Sequence, residues 1–324
     1  MSTDHDRTSM TETEQAALPD VVSALAASPQ FATDGVVFAA RNSGLYRSDD
    51  GGQSWIALYG SLKLDEPLPT TAVAVSPAWA SDRTVFAGTN GGVLRSSDGG
   101  ETWQVALLPD PPPLVTALAV SPNCSEDGVV FAASIEDGVF RSADRGSSWT
   151  AWNFGLLDLA VLCIALSPNF AADETLFAGT ESGLFRSTNG GLAWREGAFA
   201  SEHAPVLSLA VAPDFASSGS VYAGTEAHGV WRSDDGGRSW SMLGLDTATG
   251  AVNGIAVSIG DAAVPELLVL SDTVLVSRDG GTTWAEWQPG FEPAGGTVSF
   301  AAPLGFAAGA PLLVGTVEGG VVRI

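Results

Sequence analysis

Lysine is nearly missing from this chain of 324 residues: Lys63 is the single one, and 14 basic residues face 37 acidic ones, a formal charge of −23. A field of that sign repels nucleic-acid phosphates and anionic lipid headgroups, so neither nucleic acid nor a membrane is an expected partner. Basic proteins and cations are what it attracts. Cysteine is almost as scarce. Cys124 and Cys163 are too few for a disulfide framework and lack metal-motif spacing, so both read as buried or half-buried thiols. No apolar run reaches the roughly 18 residues of a membrane span. The opening MSTDHDRTSMTETEQ carries no apolar stretch behind a basic start, so it does not read as a secretory signal. The expectation is a cytoplasmic protein with a disordered tail over residues 1–12.

What is present is glycine, proline and β-formers. With 45% apolar residues, 38 glycines and 18 prolines, the composition predicts many short strands joined by tight turns. Six stretches repeat: RSDDGGQSW at 47–55, RSSDGGETW at 95–103, RSADRGSSW at 141–149, RSTNGGLAW at 186–194, RSDDGGRSW at 232–240 and VSRDGGTTW at 276–284. Their tryptophans, Trp55, Trp103, Trp149, Trp194, Trp240 and Trp284, lie 44 to 48 residues apart. A fixed period of that length signals a propeller or a solenoid.

Each period has the same parts in the same order. An apolar run ends in Ser-Pro or Ala-Pro, as in TAVAVSP at 71–77, and a short loop with an aromatic and an aspartate follows. A second strand of the TVFAGT type, a polar turn, a GLFRS-type strand, the Gly-Gly turn and a last strand complete the unit. That is four short strands with no helical stretch between them, the pattern of a propeller blade. The first-strand landmark occurs seven times, near Val21, Thr71, Val115, Val161, Val206, Val252 and Thr297, whereas the Gly-Gly turn occurs six times. The fold expected is all-β: one seven-bladed β-propeller over residues 13–324, with four-stranded antiparallel blades. Thr13 to Leu18 are expected to pair with Val321 to Ile324 and close the ring, which removes open sheet edges.

Ser48, Asp50, Gly52, Ser54 and Trp55 fit the pattern Ser-x-Asp-x-Gly-x-(Ser/Thr)-Trp, as do Ser96, Asp98, Gly100, Thr102 and Trp103. This resembles the Asp-box, or BNR, repeat of sialidase-type propellers, xyloglucan-degrading hydrolases, sortilin-type receptors and photosystem II assembly propellers. The resemblance implies that the box lies on the face away from the binding mouth. Its members Asp50, Asp98, Asp144, Asn189, Asp235 and Asp279 are then turn-builders: the carboxylate accepts amide hydrogens, glycine takes positive φ, and tryptophan packs beneath. Catalytic carboxylates would converge on one cavity rather than spread around a ring. The repeated Arg47, Arg95, Arg141, Arg186, Arg232 and Arg323 are open to two readings, an anion-binding ring or pairing with local acids and carbonyls, and one arginine per blade at a constant position favours pairing.

The opposite face is then built from turns between second and third strands and from loops between blades. Its acids include Glu136, Asp137, Glu181, Glu226, Asp272 and Glu318, with Arg41 and Lys63 opposing them. A sialidase site needs several arginines and an exposed tyrosine; Tyr46 and Tyr222 fall inside strands and Tyr59 ends an outer strand, so that activity is not expected. His203 and His228 sit beside Glu202 and Glu226, residue types that hold transition metals, but without helical or CxxC spacing they read as surface histidines. No cofactor is expected beyond a bound cation at this face. Two functions stay open: a non-catalytic scaffold taking a protein partner of basic character at an acidic mouth, or a glycoside hydrolase or glycan-binding lectin, which rests on family likeness alone.

Overall fold

The computed structural model describes residues 19–109, 111–244, 250–260, 264–291 and 295–324. They form a seven-bladed β-propeller of antiparallel sheets: six blades have four described strands in simple meander order, and the seventh has three, Thr297–Ala301, Leu313–Thr316 and Val321–Arg323. Blade 1 sets the pattern with Val22–Ala27, Val37–Arg41, Gly44–Ser48 and Ile56–Ala57, here called strands A to D. The expected closing segment, residues 13–18, lies outside the described residues.

The A strands line the centre and touch one another in order, and the ring closes where blade 7 meets blade 1. A short polar side chain near the start of strand A ties several junctions: Thr116 Oγ1 donates to Val161 O at 2.6 Å, Ser208 Oγ to Val252 O at 2.8 Å, and Ser299 Oγ to Val22 O at 2.7 Å. Cys163 fills the same role in blade 4, its Sγ 3.5 Å from Val206 O. Burial pushes this thiol up to about 12, so it is an inert packing and hydrogen-bonding group. Close approach also explains the FAGT-type glycines. A Cβ on Gly315 would sit 2.7 Å from a Val22 methyl across the closing junction.

Strand B carries the core. Phe38, Phe86, Phe131, Phe177 and Tyr222 are fully buried at one register position, each paired with the arginine of strand C, as in Phe38 with Arg47. The alternation that buries them follows from the two-residue period of a strand.

The loop after strand A differs from expectation. In blades 1 to 5 it contains a one-turn helix: Phe31–Asp34, Trp79–Asp82, Cys124–Asp127, Phe170–Asp173 and Phe215–Ser218. In blades 1 to 4 the Ser-Pro serine and the aspartate six residues on wrap the turn. Ser28 Oγ donates to Asp34 at 2.8 Å and accepts the Gln30 N–H, while Asp34 also accepts the Val36 N–H. Four residues give no readable helical period, so a pattern search sees only a polar loop. The first residue of each helix, aromatic except for Cys124 in blade 3, turns inward, and Trp79 reaches back to donate to Asp34 of the preceding blade at 3.0 Å.

Candidate functional site

Strand order places the A–B loops and the C–D turns at one end of the ring and the B–C turns and D–A loops at the other. The first end is built for rigidity. In the first repeated turn, Asp50 Oδ1 accepts from Ser48 Oγ at 2.7 Å and from the Gln53 and Ser54 N–H groups, while Oδ2 accepts from Ser54 Oγ at 2.6 Å. Asp98, Asp144, Asp235 and Asp279 repeat this set. The bond from the Ser54 hydroxyl is the largest cause holding Asp50 well below the usual carboxylate range. At Asp98 partial burial works upward, yet the Ser96 and Thr102 hydroxyls bring it down to about 2. A carboxylate saturated by donors in this way is not free to move protons.

The fourth copy changes two positions together. Asn189 keeps the bonds to Ser187 and to the Ala193 N–H, and Ala193 replaces the Ser or Thr whose hydroxyl needs a second carboxylate oxygen. Around the ring the tryptophans sit at blade junctions: Trp103 Nε1 donates to Leu58 O of blade 1, and Trp194 Nε1 to Trp152 O of blade 3.

Two of the repeated arginines clamp neighbouring blades. Arg47 Nη1 donates to Gly99 O at 2.8 Å and Arg95 Nη1 to Arg145 O at 2.9 Å, each the first glycine-type position of the next blade's turn. Arg323 of blade 7 lies against Gly51 of blade 1. Val276 takes the arginine's place in blade 6, and blade 7 offers no such turn among the described residues for a clamp to hold.

The second end carries the expected mouth acids. Glu136, Glu181, Glu226, Asp272 and Glu318 are exposed on the B–C turns of five blades, and Asp137 is half-buried beside Glu136. They are distributed one turn per blade. Glu292 lies outside the described residues. Arg41 does not face the mouth freely: its guanidinium lies 4.6 Å from the Tyr46 ring centre, 5.4 Å from that of Trp55, and 4.0 Å from Asp20. Tyr59 starts a short 3-10 helix instead of ending a strand, and its hydroxyl shares a hydrogen bond with Thr70 Oγ1.

The two histidines do meet, but His203 is not a surface residue. Its ring stacks on Trp231 at 4.2 Å, edges His228 at 5.2 Å, and keeps a buried Nδ1 without a hydrogen-bond partner. Glu202 approaches its Nε2 at 3.8 Å. Among the described residues, no three His, Cys, Asp or Glu side chains come together as a metal-holding group.

What the motif reading missed is apolar. Phe154 and Leu157 are 79% and 78% exposed on the loop from blade 3 to blade 4. That loop is held rigidly. Asn153 Nδ2 donates to Asp137 O, Gly138 N to Leu159 O, and the Asp158 carboxylate accepts from Ser182 N at 2.8 Å and Ser182 Oγ at 2.7 Å. The loop carrying the exposed pair is therefore tied at one end to the acidic turn of blade 3 and at the other to that of blade 4, and between them Phe154 O accepts from Trp194 N. The signal that would have found it is a D–A loop with large apolar residues and no partner strand to bury them.

No protein-family model matches the chain, and no curated protein matches it. Solved structures do resemble it. The GH74 xyloglucanase from Xanthomonas campestris superposes with a TM-score of 0.72 at 20% identity, covering 95% of this chain and 52% of that one. YCF48 bound to a D1 peptide gives 0.67 at 17%, covering 95% and 94%. The extracellular domain of a putative one-component system from B. thetaiotaomicron gives 0.66 at 14%, covering 95% and 38%. The chain thus spans about half the length of the GH74 enzyme and nearly all of YCF48. Likeness at this identity shows the shared propeller fold alone. No described helix is long and apolar enough to cross a membrane.

Proposed function

We propose that this propeller is a non-catalytic scaffold that binds a protein segment of basic character at its acidic mouth. The observation that carries the reading is the juxtaposition of Phe154 and Leu157, both more than three-quarters exposed, with the turns holding Glu136, Asp137 and Glu181. An apolar patch rimmed by charge is the usual make-up of a protein-binding surface. The acids would steer a cationic segment and the apolar pair would retain it. YCF48, which covers the same span of chain, was solved with a bound peptide, and this supports a protein partner over a sugar. A glycan-binding reading has the GH74 likeness behind it and no residue of this chain.

The test is a pull-down from native extract with the full chain as bait. Glu136→Gln with Glu181→Gln should weaken capture and reduce its salt dependence, and Phe154→Ser with Leu157→Ser should abolish it. A partner list unchanged by either pair overturns the reading, and retention of the chain on immobilised xyloglucan would shift it to the glycan alternative.

A further inference from the structure

Blades 4 and 5 meet at a cavity of about 550 Å³ on the side of the repeated turns, and three arginines line it: Arg186, Arg195 and Arg238. In a chain of net charge −23 this concentration of cations is out of character. It arises from three departures from the repeat, all of one electrostatic sign, together with a neutral third turn position. Thr188, neutral like Ser97 and Ala143 of blades 2 and 3, stands where blades 1 and 5 have Asp49 and Asp234, the acids that hold Arg47 and Arg232 at 2.6 and 2.7 Å. Asn189 stands where the other turns have aspartate. Arg195 replaces the Ile56, Gln104 and Thr150 of other outer strands, and Arg238 replaces Gln53, Glu101 and Ser147. One carboxylate common to the other turns is lost and two guanidinium groups are gained at one junction, and the acid that blades 1 and 5 carry beside the arginine is not there.

These cations lack ion-pair partners. None of the three has a carboxylate within ion-pair distance among the described residues. Arg238 spends one N–H on Asp235 O, and the buried Nε of Arg186 has no partner. Burial, then the Arg238 charge beside it, lowers the Arg186 pKa. The nearest acids beyond the lining are already engaged: Asp235 by its own turn and Asp173 by Ser167 and the Thr175 N–H. Within the lining, Glu196 is the sole carboxylate against three guanidinium groups, leaving two positive charges uncompensated. Guanidinium forks match the oxygens of phosphate, and the Asn189 amide and Thr188 hydroxyl on the lining add neutral hydrogen-bonding groups.

We propose that the cavity between blades 4 and 5 is a binding site for a dianionic oxyanion, either inorganic phosphate or the phosphate of a small monoester. A cavity of this size takes the phosphate with room for a small organic group attached to it.

Isothermal titration of the full chain with sodium phosphate, against sodium chloride of matched ionic strength, tests this. One saturable site is expected in the wild type. Thr188→Asp, which imports the acid of blades 1 and 5 at an exposed position, and Arg238→Gln should each weaken it by about tenfold or more. Thermal melts confirm that both variants fold. A parallel titration with glycerol 3-phosphate assigns the source: tighter binding than phosphate points to a monoester, and equal or weaker binding to the free ion. Absence of saturable binding for both probes, or affinities equal in wild type and variants, overturns the proposal.

Discussion

The cavity between blades 2 and 3 and the one between blades 4 and 5 have similar size, about 630 and 550 Å³, and each borders the strand-C arginine of its junction, the first on the side of the one-turn helices and the second on the side of the outer strands. Their charges are opposite. The first holds Arg95 and Arg145 among Asp82, Glu126, Asp127 and Asp144, and both arginines are spent on protein carbonyls, Arg95 on Arg145 O and Arg145 on Ser125 O. The second holds three arginines against Glu196. A propeller junction is thus a fixed backbone frame on which a few side chains decide between a self-satisfied seam and a site. Repetition makes the frame easy to recognise and makes each departure from it informative.

The largest effects should come from the frame that both junctions share. Gly146 at the first and Gly237 at the second have φ of 81° and 83°, and a Cβ on them would sit 2.8 Å from Phe86 and 2.5 Å from Phe177 of the preceding blade. Gly146→Ala and Gly237→Ala combine left-handed strain with an overpacked core contact, and each should cost about 2–4 kcal/mol in urea unfolding. A cost below about 1 kcal/mol at one junction alone would show that the two frames are not equivalent.

A smaller effect should separate the titrating turns from the fourth one. The folded-state pKa of Asp98, Asp144 and Asp279 lies near 2, below the unfolded value of 3.8. A depressed carboxylate stabilises the fold fully above the unfolded pKa and loses that contribution as pH falls through the folded one. Thermal stability should therefore drop between pH of about 4 and 2. Asp98→Asn with Thr102→Ala turns the second copy into one like the fourth. The double variant should lose about 1 kcal/mol at neutral pH, a modest figure because the turn is solvent-exposed, and flatten the acid limb. An unchanged acid limb would mean that the turns do not carry the acid sensitivity.

The seven blades were legible because the landmarks recur at a fixed distance, and Gly52 with Trp55 marks a turn whatever lies between. The one-turn helices were not, because Phe31–Asp34 is too short to show a period. The acids of the mouth could be placed on their turns, whereas Arg41 could not be seen to fold back over Tyr46 and Trp55, since that contact depends on side-chain direction. His203 likewise reads as a surface residue until Trp231 is found stacked on it. Arg186, Arg195 and Arg238 are up to 52 positions apart in the chain. Only the registered alignment of one blade on the next brings them to one place, and the neutral Asn189 beside them, where the other turns have aspartate, marks that place as different.

The smallest effect is the sharpest contrast. Arg95→Met and Arg186→Met remove the same group from the same strand position while keeping most of the aliphatic stem. Arg95 gives up its bond to Arg145 O among four acids, so its loss should cost about 1 kcal/mol. Arg186 gives up a buried, unpartnered Nε and repulsion from Arg238, so its loss should change stability by less than about 0.5 kcal/mol, or raise it. Phosphate should invert the order. A ligand that binds only the folded state adds stability in proportion to the logarithm of its concentration over Kd, so added phosphate should stabilise wild type and Arg95→Met but not Arg186→Met. If instead both substitutions cost the same with and without phosphate, Arg186 is a clamp like its counterparts, and the difference between the two junctions is one of composition alone.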